Sequence, residues 1–114
     1  MANRVSVTRA MALLVGFVLG GASTAGAQSV DAGKMVYTAQ KCSVCHSVAG
    51  VGNKKGPLED AAARLSAEEI RMWIVDAPAM TAKTKAARKP AMKAYPLPKE
   101  DVDALVAYIQ SLKK

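Results

Sequence analysis

Two cysteines and the chain's single histidine fall within five consecutive residues, Cys42-Ser43-Val44-Cys45-His46, and this cluster restricts what the chain can fold into more than any other feature. Thiols spaced i and i+3 come close to one side of a helical turn, with the imidazole adjoining them. A redox disulfide of the Cys-x-x-Cys kind sits beside a βαβ pattern, and no strand-rich pattern occurs here. Structural zinc takes four ligands, whereas this chain offers three, too close together to wrap a tetrahedron alone. Covalent haem attachment uses all three side chains: each thiol forms a thioether with one vinyl edge of a porphyrin, and the imidazole lies near enough beneath the ring to reach the iron. Haem attachment is the preferred reading, with a disulfide and zinc as the alternatives.

The 114 residues leave room for one domain. Residues 1–27 have the plan of a secretory signal peptide: Arg4 and Arg9 at a positive start, an apolar run from Ala10 to Gly21, and the small-residue site Ala25-Gly26-Ala27. That run falls short of the about 20 apolar residues a membrane span needs. A leader cleaved after Ala27 is therefore expected, with an uncleaved anchor as the alternative. The mature domain would be residues 28–114, in the periplasm and without stable membrane insertion. Export agrees with haem attachment, because an exported, oxidising compartment is where a cysteine pair needs dedicated handling.

Without the leader, fourteen basic residues face nine acidic ones, so the formal charge falls from +7 to +5. A basic surface suits nucleic acid, membrane or an acidic protein. Export, and the lack of aromatic residues interleaved with the basic ones, exclude nucleic acid as the expected partner. The mature chain has one tryptophan and three tyrosines, a thin core for a small domain, and such domains often need a staple. A covalently held porphyrin would complete that core.

Asp31 to Lys41 suits a helix leading into the cluster, with Asp31 available as a cap and Met35, Val36 and Ala39 as its apolar stripe. Gly33 inside it costs about 1 kcal/mol relative to alanine. Close approach by another helix and a frayed first turn both account for it. Ser47 to Pro57 is glycine-rich and closes on Gly56-Pro57, the composition of a loop. If it folds back beneath the haem, the Pro57 carbonyl can accept the His46 Nδ1 proton, fixing the tautomer and raising the basicity of the other nitrogen. A plain surface turn is the alternative.

Leu58 to Leu65 suits a short helix of weak pattern. Ser66-Ala67-Glu68-Glu69 is a capping box, and Ile70, Trp73 and Ile74 follow on one face until Pro78 halts the helix soon after Asp76. Trp73 is expected to pack against the porphyrin. Lys99 to Leu112 is the cleanest helix: Pro98 at its first turn, Glu100, Asp101 and Asp103 at its positive end, and Val102, Leu105, Val106, Ile109 and Leu112 in one stripe with Tyr108 near the edge. The first helix, with its Gly33, is the natural partner for that stripe.

The segment from Met80 to Lys93 reads as a loop carrying Lys83, Lys85, Arg88, Lys89 and Lys93 with no acidic residue. A basic run is ordinarily a solvated face; two methionines, Met80 and Met92, give this one a further use. An iron held by His46 needs a sixth ligand or an empty site, and a soft, neutral thioether favours reduced iron and raises the potential. Pro90 and Pro96 restrict the backbone around Met92, whereas Met80, close behind Pro78, has less to fix it. Met35 and Met72 fit helical stripes and read as core.

Together these residues resemble the class I cytochromes c, small carriers with one haem. The likeness extends over the mature chain: Gly33 and Tyr37 lie nine and five residues before Cys42, Cys42-Ser43-Val44-Cys45-His46 matches the attachment motif, and Gly56-Pro57 is similar to the family's turn beneath the haem. Met92, with Leu97 and Glu100-Asp101 behind it, stands in the register of the family's distal methionine, and Met80 does not. In two places the chain departs from the pattern: Leu58 follows Pro57 directly, and a proline precedes Met92 by two residues, at Pro90, instead of following it.

The resemblance implies an all-α cytochrome c fold, with three to four short helices around one haem c. Cys42 and Cys45 would hold the haem, His46 and Met92 would be the axial ligands (Met80 the weaker alternative), and Pro57 would be the partner of His46. It also implies a one-electron carrier, not an enzyme, working between redox partners such as a dehydrogenase and a terminal oxidase, as a monomer or as a subunit of a redox complex. The basic residues from Lys83 to Lys93, joined by Lys54 and Lys55, would surround the haem edge and steer it to an acidic patch on such a partner. A dedicated subunit of a periplasmic dehydrogenase and a ligand-binding haem protein with an open distal site are the competing readings.

Overall fold

Helix α5 (Lys99–Ser111) is the element against which three other helices pack, and its buried residues Val102, Ala104, Leu105, Val106, Tyr108 and Ile109 cover more than one face. In a computed structural model of the chain, residue 16 and residues 25–114 are described; most of the expected leader, 1–27, lies outside them. Before α5 come helix α1 (Ala25–Ala39), a 3₁₀ turn (Cys42–Val44), a two-stranded antiparallel hairpin of β1 (Ser47–Val48) and β2 (Val51–Gly52), and helices α2 (Leu58–Arg64), α3 (Ala67–Val75) and α4 (Ala77–Thr84). The described residues thus hold five α-helices, one more than expected. None of these helices is long and apolar enough to cross a membrane.

Helices α1 and α5 form the principal contact, and Gly33 is its closest point. A Cβ there would run into the carbonyl of Ala104 and lie 2.6 Å from Cβ of Tyr108. The frayed-turn reading of Gly33 is therefore set aside. Tyr37, one turn further along, meets Tyr108 edge to face with ring centroids 5.7 Å apart, an arrangement favoured by the ring quadrupoles.

This geometry corrects two expectations for α1. The stripe facing α5 is Val30, Gly33 and Tyr37, so Met35, about 200° around the helix from Gly33, is left 72% exposed. Asp31 is not a cap, because α1 runs back to Ala25 and leaves it exposed in the helix interior.

Helix α3 begins at the predicted capping box: Ser66 Oγ accepts the Glu69 N–H at 3.1 Å, and Glu69 Oε1 accepts the Ser66 N–H at 3.1 Å. Ile70 and Ile74 are buried, and Arg71 pairs with Asp103 of α5 at 2.7 Å. Pro78 does more than end α3: it occupies the first turn of α4, where its missing N–H costs nothing. Met80 is consequently a helical residue, only 5% exposed, and not part of a loop. Tyr108 is buried instead of lying at an edge, Met72 is half-buried, and the Ser47–Gly52 stretch closes into the hairpin through Ala49 and Gly50, both at positive φ.

Candidate haem-binding site

The end of α1 sets up the site. Lys41 adopts the left-handed conformation (φ 55°), which turns the chain sharply into the 3₁₀ segment. The Cys42 carbonyl then accepts two N–H groups, from Cys45 at 3.1 Å and from His46 at 2.9 Å. This tight turn brings Cys42, Cys45 and His46 to the wall of one cavity. Both cysteines are free and half-buried. Burial pushes the Cys42 thiol pKa up, opposed by a backbone hydrogen bond and reinforced by Cys45.

The imidazole is held from behind. His46 Nδ1 lies 3.0 Å from the carbonyl oxygen of Gly56, so Nδ1 carries the proton and Nε2 is the nitrogen left for a metal. This corrects the expected acceptor, which was Pro57. Pro57 is the N-cap of α2, and its carbonyl accepts the Asp60 N–H at 3.3 Å in that helix's first turn. The Gly56 carbonyl, one residue earlier, faces the ring and also accepts the Ser47 N–H at 3.1 Å. Glycine is required there, because a Cβ would collide with the Cys45 carbonyl and the Arg88 guanidinium and lie 3.0 Å from His46 Nδ1. Burial holds the His46 pKa below its ordinary value; the Gly56 hydrogen bond works against this and the nearby Arg88 cation adds to it. The neutral imidazole that results is the metal-binding form.

The cavity measures about 880 Å³, within the roughly 300–1,000 Å³ typical of cofactor clefts. Ile70, Trp73 and Ile74 of α3 and Leu105 and Ile109 of α5 give it apolar walls. Met92 and Tyr95 line it from the segment before α5, which the Tyr95 N–H ties to the Ile74 carbonyl at 2.9 Å. Met80 does not line it. The structure thus places Cys42, Cys45, His46, Trp73 and Met92 around one cavity and leaves Met80 beneath α4.

Three contributors were not legible in advance. Gly56 was masked by its proline neighbour, although the Gly-Pro pair was the signal that a carbonyl mattered there. Tyr95 is a lone aromatic in a proline-rich stretch, and burial, followed by Cys42, pushes its hydroxyl pKa up. Arg88 donates from Nη2 to the Cys45 carbonyl at 2.6 Å across 43 residues of sequence, and no local pattern announces that bond.

The fit to a flat apolar cofactor is direct: a lined cavity of suitable volume, two reduced thiols on one wall, and a neutral imidazole whose far nitrogen is fixed by a carbonyl. Helices enclosing such a cavity define the class of small c-type haem proteins. The chain belongs to the cytochrome c family, whose model, described as Cytochrome c, matches residues 30–113. No curated protein and no solved structure is similar enough to count as a match. Members of the family bind covalently attached haem c and are typically carriers of electrons, not enzymes.

Proposed function

We propose that this protein is an exported one-electron carrier in which Cys42 and Cys45 would hold haem c by thioether bonds while His46 Nε2 and the Met92 sulfur would be the protein ligands of its iron. Bound there, the haem supplies an Fe2+/Fe3+ couple that accepts and releases one electron. The Gly56 carbonyl orients the His46 ring and, by drawing on its Nδ1 proton, makes Nε2 the stronger donor. Met92 contributes a neutral sulfur that favours reduced iron. The apolar α3 and α5 side chains that line the cavity would exclude water from the bound haem.

The observation that carries this reading is the membership of one cavity: Met92 shares it with Cys42, Cys45 and His46, and Met80 does not. Lys41, Lys55, Arg64, Arg88 and Lys93 also line the cavity, against the single acid Asp60. A positive rim of this kind suits an acidic partner, whether a dehydrogenase that donates or an oxidase that accepts. Removal of residues 1–27 as a leader would place the carrier in the periplasm. The shortened α1 would then begin near Gln28, leaving Asp31 in its first turn, where a negative charge suits the helix dipole.

The test is the near-infrared absorption of the oxidised holoprotein, where methionine-to-iron charge transfer gives a weak band. The band is expected in the wild type and in Met80→Ala, and its loss is expected in Met92→Ala. Loss in Met80→Ala alone would move the ligand to α4. A wild type without the band that binds cyanide at once would identify an open-site protein.

A further inference from the structure

Residues 85–98, between α4 and α5, form no regular element, yet they carry Met92. Two hydrogen bonds tie this stretch to parts of the fold beyond its flanking helices: Arg88 Nη2 to the Cys45 carbonyl at 2.6 Å, and the Tyr95 N–H to the Ile74 carbonyl at 2.9 Å. Met92 sits between the two tethers. The first of them ends in the attachment turn itself, on the carbonyl that joins Cys45 to His46. A guanidinium reaches that carbonyl because Gly56 has no Cβ to obstruct it. Arg88 also lines the cavity, whereas its neighbours Lys85 and Lys89 do not. It is set apart from Lys85 and Lys89 by lining the cavity, and from Lys93, whose head group lies over the Tyr95 ring, by bonding the Cys45 carbonyl.

We propose that Arg88 is a positioning residue: by bonding the Cys45 carbonyl it clasps the Met92 segment to the haem-attachment turn and so keeps the Met92 sulfur at the iron. This inference rests on the assignment of Met92 as the sixth ligand. A charge-assisted bond from a rigid, planar donor resists opening more than a neutral one does, and lysine, a shorter side chain with a point-like head group, reproduces it only in part. With the clasp gone, the segment retains the Tyr95 tether alone on its far side, and the ligand-bearing stretch opens more often.

The experiment follows displacement of the methionine by added imidazole in the ferric holoprotein, read as decay of the near-infrared band. Arg88→Ala is expected to speed displacement by about tenfold, the effect of losing one charge-assisted hydrogen bond. Arg88→Lys should fall between that variant and the wild type. Lys85→Ala, which removes a positive charge from the same segment without touching the Cys45 carbonyl, should exchange at the wild-type rate. Equal rates in Arg88→Ala and wild type would overturn the proposal, as would a Lys85→Ala variant as fast as Arg88→Ala, since charge alone would then be responsible. Failure of the underlying Met92 assignment has a different signature: a band that survives Met92→Ala or is absent from the wild type.

Discussion

At Gly33 a single hydrogen atom in place of a side chain sets the distance between α1 and α5. The atoms that a Cβ would meet are backbone of Ala104 and Cβ of Tyr108, neither of which can swing aside. Gly33→Ala gains about 1 kcal/mol of helix propensity but must push α1 off α5, and overpacking of this kind costs about 1–3 kcal/mol or more. The clash involves backbone, so the upper part of that range applies. We expect a net loss of about 2 kcal/mol for Gly33→Ala in guanidinium unfolding of the holoprotein, and an unchanged midpoint would mean that the helices are not in close contact. The sequence supplied a costly glycine and two explanations for it; choosing between them required knowing what lies across the interface. The same limit applied at Gly56 and Pro57, where the loop was recognisable but which of two successive carbonyls faces His46 depends on Pro57 being committed as the N-cap of α2.

Elements were legible where their determinants are local. The α3 start was read correctly because the capping box lies within four residues, and both of its reciprocal hydrogen bonds are present. Ser66→Ala removes the acceptor for the Glu69 N–H and should lower stability by about 1 kcal/mol, measured as a shift in denaturant midpoint at neutral pH. The bond from the Ser66 N–H is the first cause holding the Glu69 carboxylate below its ordinary pKa. A carboxylate with a lowered folded pKa contributes stability above its unfolded pKa and loses it as pH falls through the folded value. Ser66→Ala keeps that backbone donor but removes the Ser66 hydroxyl, the second cause lowering the Glu69 pKa, so the gap between wild type and Ser66→Ala should narrow in acid. A gap independent of pH would separate the cap from that carboxylate. Helix α4 was missed for the opposite reason: Pro78 signals both the end of one helix and the start of another, and the residues after it are mostly alanine, threonine and lysine without an apolar stripe. Arg88 was missed because its partner is remote in sequence.

On the scale of the whole molecule, the helices leave a cavity of about 880 Å³ in a small fold with few aromatic residues. Haem c, the cofactor of the family, would fill that cavity and complete the body, which explains how a single five-residue cluster could forecast the architecture. Five cations, Lys41, Lys55, Arg64, Arg88 and Lys93, line this cavity against one acid, Asp60, and no acidic residue occurs between Met80 and Lys93. Like charges gathered at an opening into an apolar interior create a field that extends into solvent and orients an approaching acidic surface. That field is screened over about 30 Å at 0.01 M ionic strength and about 8 Å at 0.15 M, so steering fades as salt rises while short-range contacts persist. Electron transfer from the reduced protein to an acidic partner should slow by about tenfold between 0.01 M and 0.5 M ionic strength in stopped-flow measurements. Lys55→Glu combined with Lys93→Glu should remove most of that dependence and slow the low-salt rate toward the high-salt one. A wild-type rate indifferent to salt would mean that the basic rim is solvated surface and that docking relies on apolar contact instead, as expected for a permanently bound subunit.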